Sequence, residues 1–221
     1  MKRLVFVVMV AAVLAVAPKA EAALILQLSD GTNTVTIFDG GAGDLNSTTG
    51  VIVFSGSIGG WIVNVSTGIG SPIYAPATID LNSINVLSGS ASTLTIMLTQ
   101  TGNTQVFPGW NMSFGGTIGT GGTVTYTAYA DPANSNFGLV SLIGTLGPFA
   151  GGAFSGTTGG LVSVANPYSL TQVLAVTSGG SSLSFSGDAN LYPIPEPGTL
   201  VLFGTGLVGL AAVARRRARK I

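Results

Sequence analysis

The chain has 221 residues and a formal net charge of zero, with eight basic and eight acidic residues, no His and no Cys. All eight cations are terminal (Lys2, Arg3 and Lys19; Arg215, Arg216, Arg217, Arg219 and Lys220), so residues 24–194 hold Asp30, Asp39, Asp44, Asp80, Asp131 and Asp188 against no cation. Such a body cannot neutralise phosphates, which excludes nucleic-acid binding, and with no His, Lys or Cys it cannot build the usual nucleophile–base pairs of covalent catalysis.

In chain order, Met1-Lys2-Arg3 is a positive start and Leu4 to Ala17 is an unbroken apolar run. Ala20-Glu21-Ala22 then places small side chains at Ala20 and Ala22, the spacing that signal peptidase reads, with Ala23 as the new N-terminus. The apolar run reaches about 21 Å as a helix, short of the roughly 30 Å hydrocarbon core, so residues 1–22 read as a cleaved signal peptide rather than a permanent anchor.

Residues 23–194 read as one Gly/Ser/Thr-rich all-β body of single-domain length. Period-two alternation marks Thr34 to Ile37, Trp61 to Val65, Thr93 to Thr99, Thr123 to Tyr129 and Ser182 to Ser186. Further β-rich runs at Leu24 to Leu28, Val51 to Ile58, Leu81 to Leu87, Gly138 to Leu146 and Leu170 to Thr177 bring the expected total to about ten strands. Glycine runs at Asp39 to Gly43, Ser88 to Ser90, Gly119 to Gly122 and Ser178 to Ser181 are read as turns. With no helical period and no repeat of 20 to 50 residues, the expectation is an antiparallel β-sandwich, jelly-roll connectivity included, rather than a β-solenoid.

Candidate chemistry in the body is sparse, and no catalytic, metal or cofactor site is assigned. Six scattered Asp sit mostly in turn contexts such as Asp30-Gly31 and Asp131-Pro132, where the side chain bonds nearby backbone. A paired-carboxylate glycosidase is the one enzymatic alternative. Gly40-Gly41-Ala42-Gly43-Asp44-Leu45 is similar to a single calcium-binding glycine/aspartate repeat, one residue short, and a lone copy reads as a glycine-rich loop. Trp61, Trp110 and Tyr74 offer either a sugar-stacking face or, more simply, core aromatics. Asn-x-Ser/Thr triplets at Asn46, Asn64 and Asn111, within dense Ser and Thr, are equally compatible with glycosylation and with solvent-facing strand positions.

At the C-terminus Pro195-Glu196-Pro197-Gly198 precedes the apolar run Leu200 to Ala214 and the basic cluster Arg215, Arg216, Arg217, Arg219 and Lys220. The prolines favour an extended segment that an enzyme can grip, the run suits a short transmembrane helix, and the cluster halts transfer on the cytoplasmic side. The order of these three parts over residues 195–221 resembles the PEP-CTERM sorting signal of Gram-negative bacteria. That resemblance implies processing by an exosortase, a membrane-embedded cysteine transpeptidase, with Pro195, Glu196 and Pro197 as its recognition residues. Leu28-Ser29-Asp30-Gly31 and Tyr168 to Val173 resemble the bodies of other such proteins, without bringing an activity. The expectation is a non-enzymatic exported protein, anchored transiently in the cytoplasmic membrane and then delivered to the cell surface or the extracellular polysaccharide matrix of a biofilm. The alternative is an adhesin or exopolysaccharide-binding module sharing that route.

Overall fold

The computed structural model describes residues 22–180, 182–194 and 197–218. Ten strands fill the body: β1 (Leu24–Ser29), β2 (Thr34–Phe38), β3 (Val51–Ile58), β4 (Trp61–Ile69), β5 (Ile79–Ser88), β6 (Ser92–Asn103), β7 (Trp110–Asp131), β8 (Ser141–Gly160), β9 (Tyr168–Ser178) and β10 (Leu183–Pro193). Among the described residues a single helix, α1 (Pro197–Ala218), follows. Each of the ten runs named from the sequence lies in or overlaps one strand, because alternation buries one face and leaves the Thr/Ser face in water. In β6, Leu94, Ile96 and Leu98 are fully buried; in β7, Val124, Tyr126, Ala128 and Ala130 are.

The strands pair antiparallel along one path, β2-β1-β6-β9-β7-β10-β5-β4-β3, with β8 on the flank of β7. The turning point is β7. Its first part, Trp110 to Ile118, pairs with β10, and its second, Gly122 to Asp131, pairs with β9. The run Gly119 to Gly122, expected to be a turn, therefore lies inside a strand. It relaxes the backbone where β7 crosses from one layer to the other, with Gly121 at φ +82°, instead of reversing the chain. The β8 strand bends with it, pairing through Ser141 to Ala150 on one layer and Gly152 to Gly160 on the other. The result is the expected sandwich, with β2-β1-β6-β9 facing β3-β4-β5-β10.

Cross-layer contacts fix the two sheets. A Cβ built on Gly68 of β4 would stand 2.9 Å from the Leu98 side chain of β6, so the layers meet closely there and a larger residue requires Leu98 to shift. Gln172 of β9, fully buried, donates Nε2 to the Ile79 carbonyl of β5 at 2.9 Å. At the bend Phe154 stacks on Phe149 at 4.6 Å and tilts against Phe114 at 4.9 Å. The opposite side is closed by the loop after β2, in which Asp39 Oδ2 accepts from Gly50 N at 2.7 Å. Asp44 accepts there from Gly40, Asn46 and Val53 N–H, which occupies both its oxygens and supports the glycine-loop reading over the calcium repeat.

A C-terminal sorting segment and a polar groove

The sorting segment begins where the body ends. Pro193, the last residue of β10, pairs with Trp110, and Ile194 N donates to the Gly109 carbonyl at 2.9 Å. Pro195 and Glu196 lie outside the described residues, as do Ala20, Arg219 and Lys220. Pro197 opens α1, Arg215, Arg216 and Arg217 lie in its last turns, and Ala22 stands two residues before β1. Proline at the first helical position gives up an N–H that has no partner there in any case.

Along α1 every residue from Val201 to Leu210 is exposed, Leu202 at 74 % and Val208 at 70 %. Val201, Leu202 and Phe203 are consecutive and point in three directions, so the helix is apolar around its circumference and that stretch lies uncovered by the sandwich. Its one hydroxyl in this stretch, Thr205 Oγ1, is satisfied inside the helix by the carbonyls of Val201 (2.9 Å) and Leu202 (3.1 Å). Among the described residues no helix is long and apolar enough to cross a membrane. Leu200 to Ala214 reaches about 22 Å against a core of roughly 30 Å.

A second feature was not foreseen. On the outer face of the β3-β4-β5-β10 layer, neighbouring strands align Asp80 with Asn190, Asn190 with Ser113 and Ser113 with Thr157. The next row sets Asp188 beside Gly115 and Gly115 beside Ser155. These rows line an open groove of about 590 Å³. Its floor is low because Gly115 has no side chain. A bulge opposite Asp188 in β5 holds Ser83 at φ +54° and turns its N–H onto Asp188 Oδ1 at 2.5 Å, fixing one carboxylate at the rim. Asp80 is only 6 % exposed and lies beside Tyr74, whose hydroxyl donates to it at 3.4 Å. Burial pushes the Asp80 carboxyl above its usual range and the charge of Asp188 adds to this, against hydrogen bonds from Tyr74 and Asn190.

The groove presents hydroxyls, amides and two carboxylates with no cation, a lining that suits a neutral polyol and repels an anion. The two tryptophans are no part of it. Trp61 and Trp110 are both 0 % exposed, which overturns the sugar-stacking reading for them, and Tyr74 is half-buried beside Asp80. The sequence did carry a signal for the groove in two Asp-x-Asn triplets, Asp80-Leu81-Asn82 and Asp188-Ala189-Asn190, on strands that turn out to be neighbours.

No curated protein sequence matches the chain. Solved structures with some likeness include TmCBM61 in complex with beta-1,4-galactotriose, at 11 % identity over 61 % of this chain and 88 % of that one, TM-score 0.38. Another is the adhesin domain of Epf from Streptococcus pyogenes, at 12 % identity over 79 % of this chain and 60 % of that one, TM-score 0.40. A third is a PA14 sugar-binding domain from an RTX adhesin, at 12 % over 79 % and 91 %, TM-score 0.36. All three scores are low, and the sandwich rests on the strand pairing above. Residues 193–217 match the family model of the PEP-CTERM protein-sorting motif, so the chain carries that sorting motif after its last strand, and the motif implies processing by an exosortase.

Proposed function

We propose that this is a non-enzymatic protein of the cell surface or extracellular polysaccharide matrix, exported by a signal peptide cut after Ala22 and held briefly in the cytoplasmic membrane by α1. An exosortase acting at Pro195-Glu196-Pro197 then passes it outward. The observation that carries this reading is a helix apolar around its circumference, joined to the final body strand through the sorting motif. Its apolar run makes a marginal permanent span, as a transient anchor needs. Replacing Glu196 by Ala removes a charge-assisted contact worth about 1.5–3 kcal/mol, or roughly 10- to 150-fold weaker engagement of the processing enzyme. In an exosortase-containing host the variant is expected to accumulate as an uncut membrane form while the parent is trimmed. Fractionation and immunoblotting against the body and a C-terminal tag read this, and equal trimming defeats it.

The groove favours a second reading, in which the delivered body also holds a neutral polysaccharide of the matrix through the Asp80–Asn190–Ser113–Thr157 row. Affinity gel electrophoresis of the mature protein through neutral and acidic polysaccharides tests it. Retardation by a neutral polymer, lost in Asn190→Ala and Ser113→Ala, is the expected result, and retardation by acidic polymers alone excludes the groove.

A further inference from the structure

Asp39 has one satisfied carboxylate oxygen and one orphan. Oδ2 accepts from Gly50 N at 2.7 Å, whereas Oδ1 is sealed from solvent with no hydrogen-bond partner among the described residues. Folds avoid this arrangement unless a donor arrives from elsewhere. Asp39 stands at the very start of the body, since its N–H donates to the Leu24 carbonyl at 3.2 Å. Among the described residues it is also the one ionisable side chain lining a cavity of about 290 Å³ whose walls include Ala22, Ala23, Leu24, Ser47 and Thr49. The other carboxylates nearby in the fold are engaged. Asp44, on the same loop, accepts three backbone N–H groups, and Asp131, the last residue of β7, accepts from Ala133 and Ser135 of the loop that reaches Gly102 through Asn134. No Lys, Arg or His exists in residues 24–194 to serve as counter-ion.

Cleavage after Ala22 makes one. Before the cut the nitrogen of Ala23 is a neutral amide with a single N–H; afterwards it is an ammonium with three donors, at the wall of the cavity that Asp39 lines. Ala23 is already tethered there, because its carbonyl accepts from Thr101 N of β6 at 3.0 Å. We propose that the Asp39 carboxylate is a built receptor for the α-ammonium of the mature N-terminus, a charge-assisted pair that forms only once the signal peptide has gone. The inference rests on the cleavage site proposed above. It makes export and final closure of the β1–β2 corner successive events, so the sandwich reaches full stability on the outer side of the membrane.

The chemistry of this chain makes the test clean. Its lysines are Lys2, Lys19 and Lys220, so the mature, trimmed protein has the α-amine as its sole amine, and mass spectrometry separates any label on Lys220. Mature protein is recovered from outside the cytoplasmic membrane, its N-terminus is sequenced, and trace acetylation with acetic anhydride is followed from pH 6 to 10. Pairing raises the ammonium's pKa above its ordinary value of about 7.7–8.0. One unit of rise makes acetylation at pH 8 about five-fold slower in the parent than in Asp39→Asn. A raised folded pKa stabilises below the unfolded value and loses that contribution as pH climbs through the folded one, so full Nα-acetylation lowers Tm at pH 7 and not at pH 10. An N-terminus other than Ala23 overturns the cleavage reading and the pair together. Ala23 with an ordinary labelling midpoint in the parent overturns the pair alone, whether or not the variant folds.

Discussion

Trp110 is where body stability and the sorting segment meet, and two substitutions there have separable costs. The indole is 0 % exposed, lies edge-on to Tyr168 at 5.6 Å and to Phe107 at 6.4 Å, and its Nε1–H has no hydrogen-bond partner among the described residues. Truncating a buried Trp to Ala costs about 3–5 kcal/mol, from which the relief of an unpaired buried donor, about 1–3 kcal/mol, is subtracted. The mid-range values leave a net loss of about 2 kcal/mol, or some 4–8 °C in Tm for a domain of this size. Trp110→Phe keeps an aromatic ring in the cluster and removes the orphan donor. The lost transfer energy, roughly 2 kcal/mol, and the regained desolvation then nearly cancel, which puts its Tm within about 4 °C of the parent. Urea and thermal unfolding of the mature protein, followed by far-UV circular dichroism, measures both. If Phe is as damaging as Ala, the buried indole N–H is no burden and the reasoning fails.

Asp80→Asn is expected to raise Tm at pH 7. The native carboxyl holds its proton more tightly than the unfolded one, so stability falls as pH rises from about 3.9 through the raised native value. At pH 3 the variant should gain little, and an equal gain at both pH values refutes the assignment. Gly116→Ala should destabilise by about 1–3 kcal/mol in a denaturant titration, because a Cβ there runs into the Ser186 carbonyl and stands 2.7 Å from Gly187 Cα. Gly115→Ala, whose Cβ would meet nothing closer than 3.5 Å, should unfold like the parent and yet lose retardation by neutral polysaccharide, since it fills the groove floor. Retention of that retardation argues against the groove.

The strands were legible because alternation is a local property: Thr93 to Thr99 and Thr123 to Tyr129 announce their faces without reference to partners. The lengths of β7 and β8 were not. Gly119 to Gly122 and Gly147 to Gly152 carry turn composition, and only the second layer, brought alongside through β10, shows that the chain continues across. The sorting signal was readable because it is contiguous in sequence. The groove was hidden because it is assembled from β5, β7, β8 and β10, where a bulge at Ser83 sets the phase that brings the two Asp-x-Asn triplets to one face.

Because β7 belongs to both layers, β8 is the outer margin of both, a 20-residue strand paired on one side only among the described residues. A margin that long is a template for unlimited growth by strand addition. Pro148 offers no N–H, register slips interrupt the pairing at three points along β7, and Gly151 and Gly152 deny an incoming strand any side chains to grip. Irregularity along β8 thus opposes edge-to-edge pairing between copies of this chain. Regularising that margin with Thr or Val at 148, 151 and 152 is the shortest route by which this sequence would turn into a fibre-former.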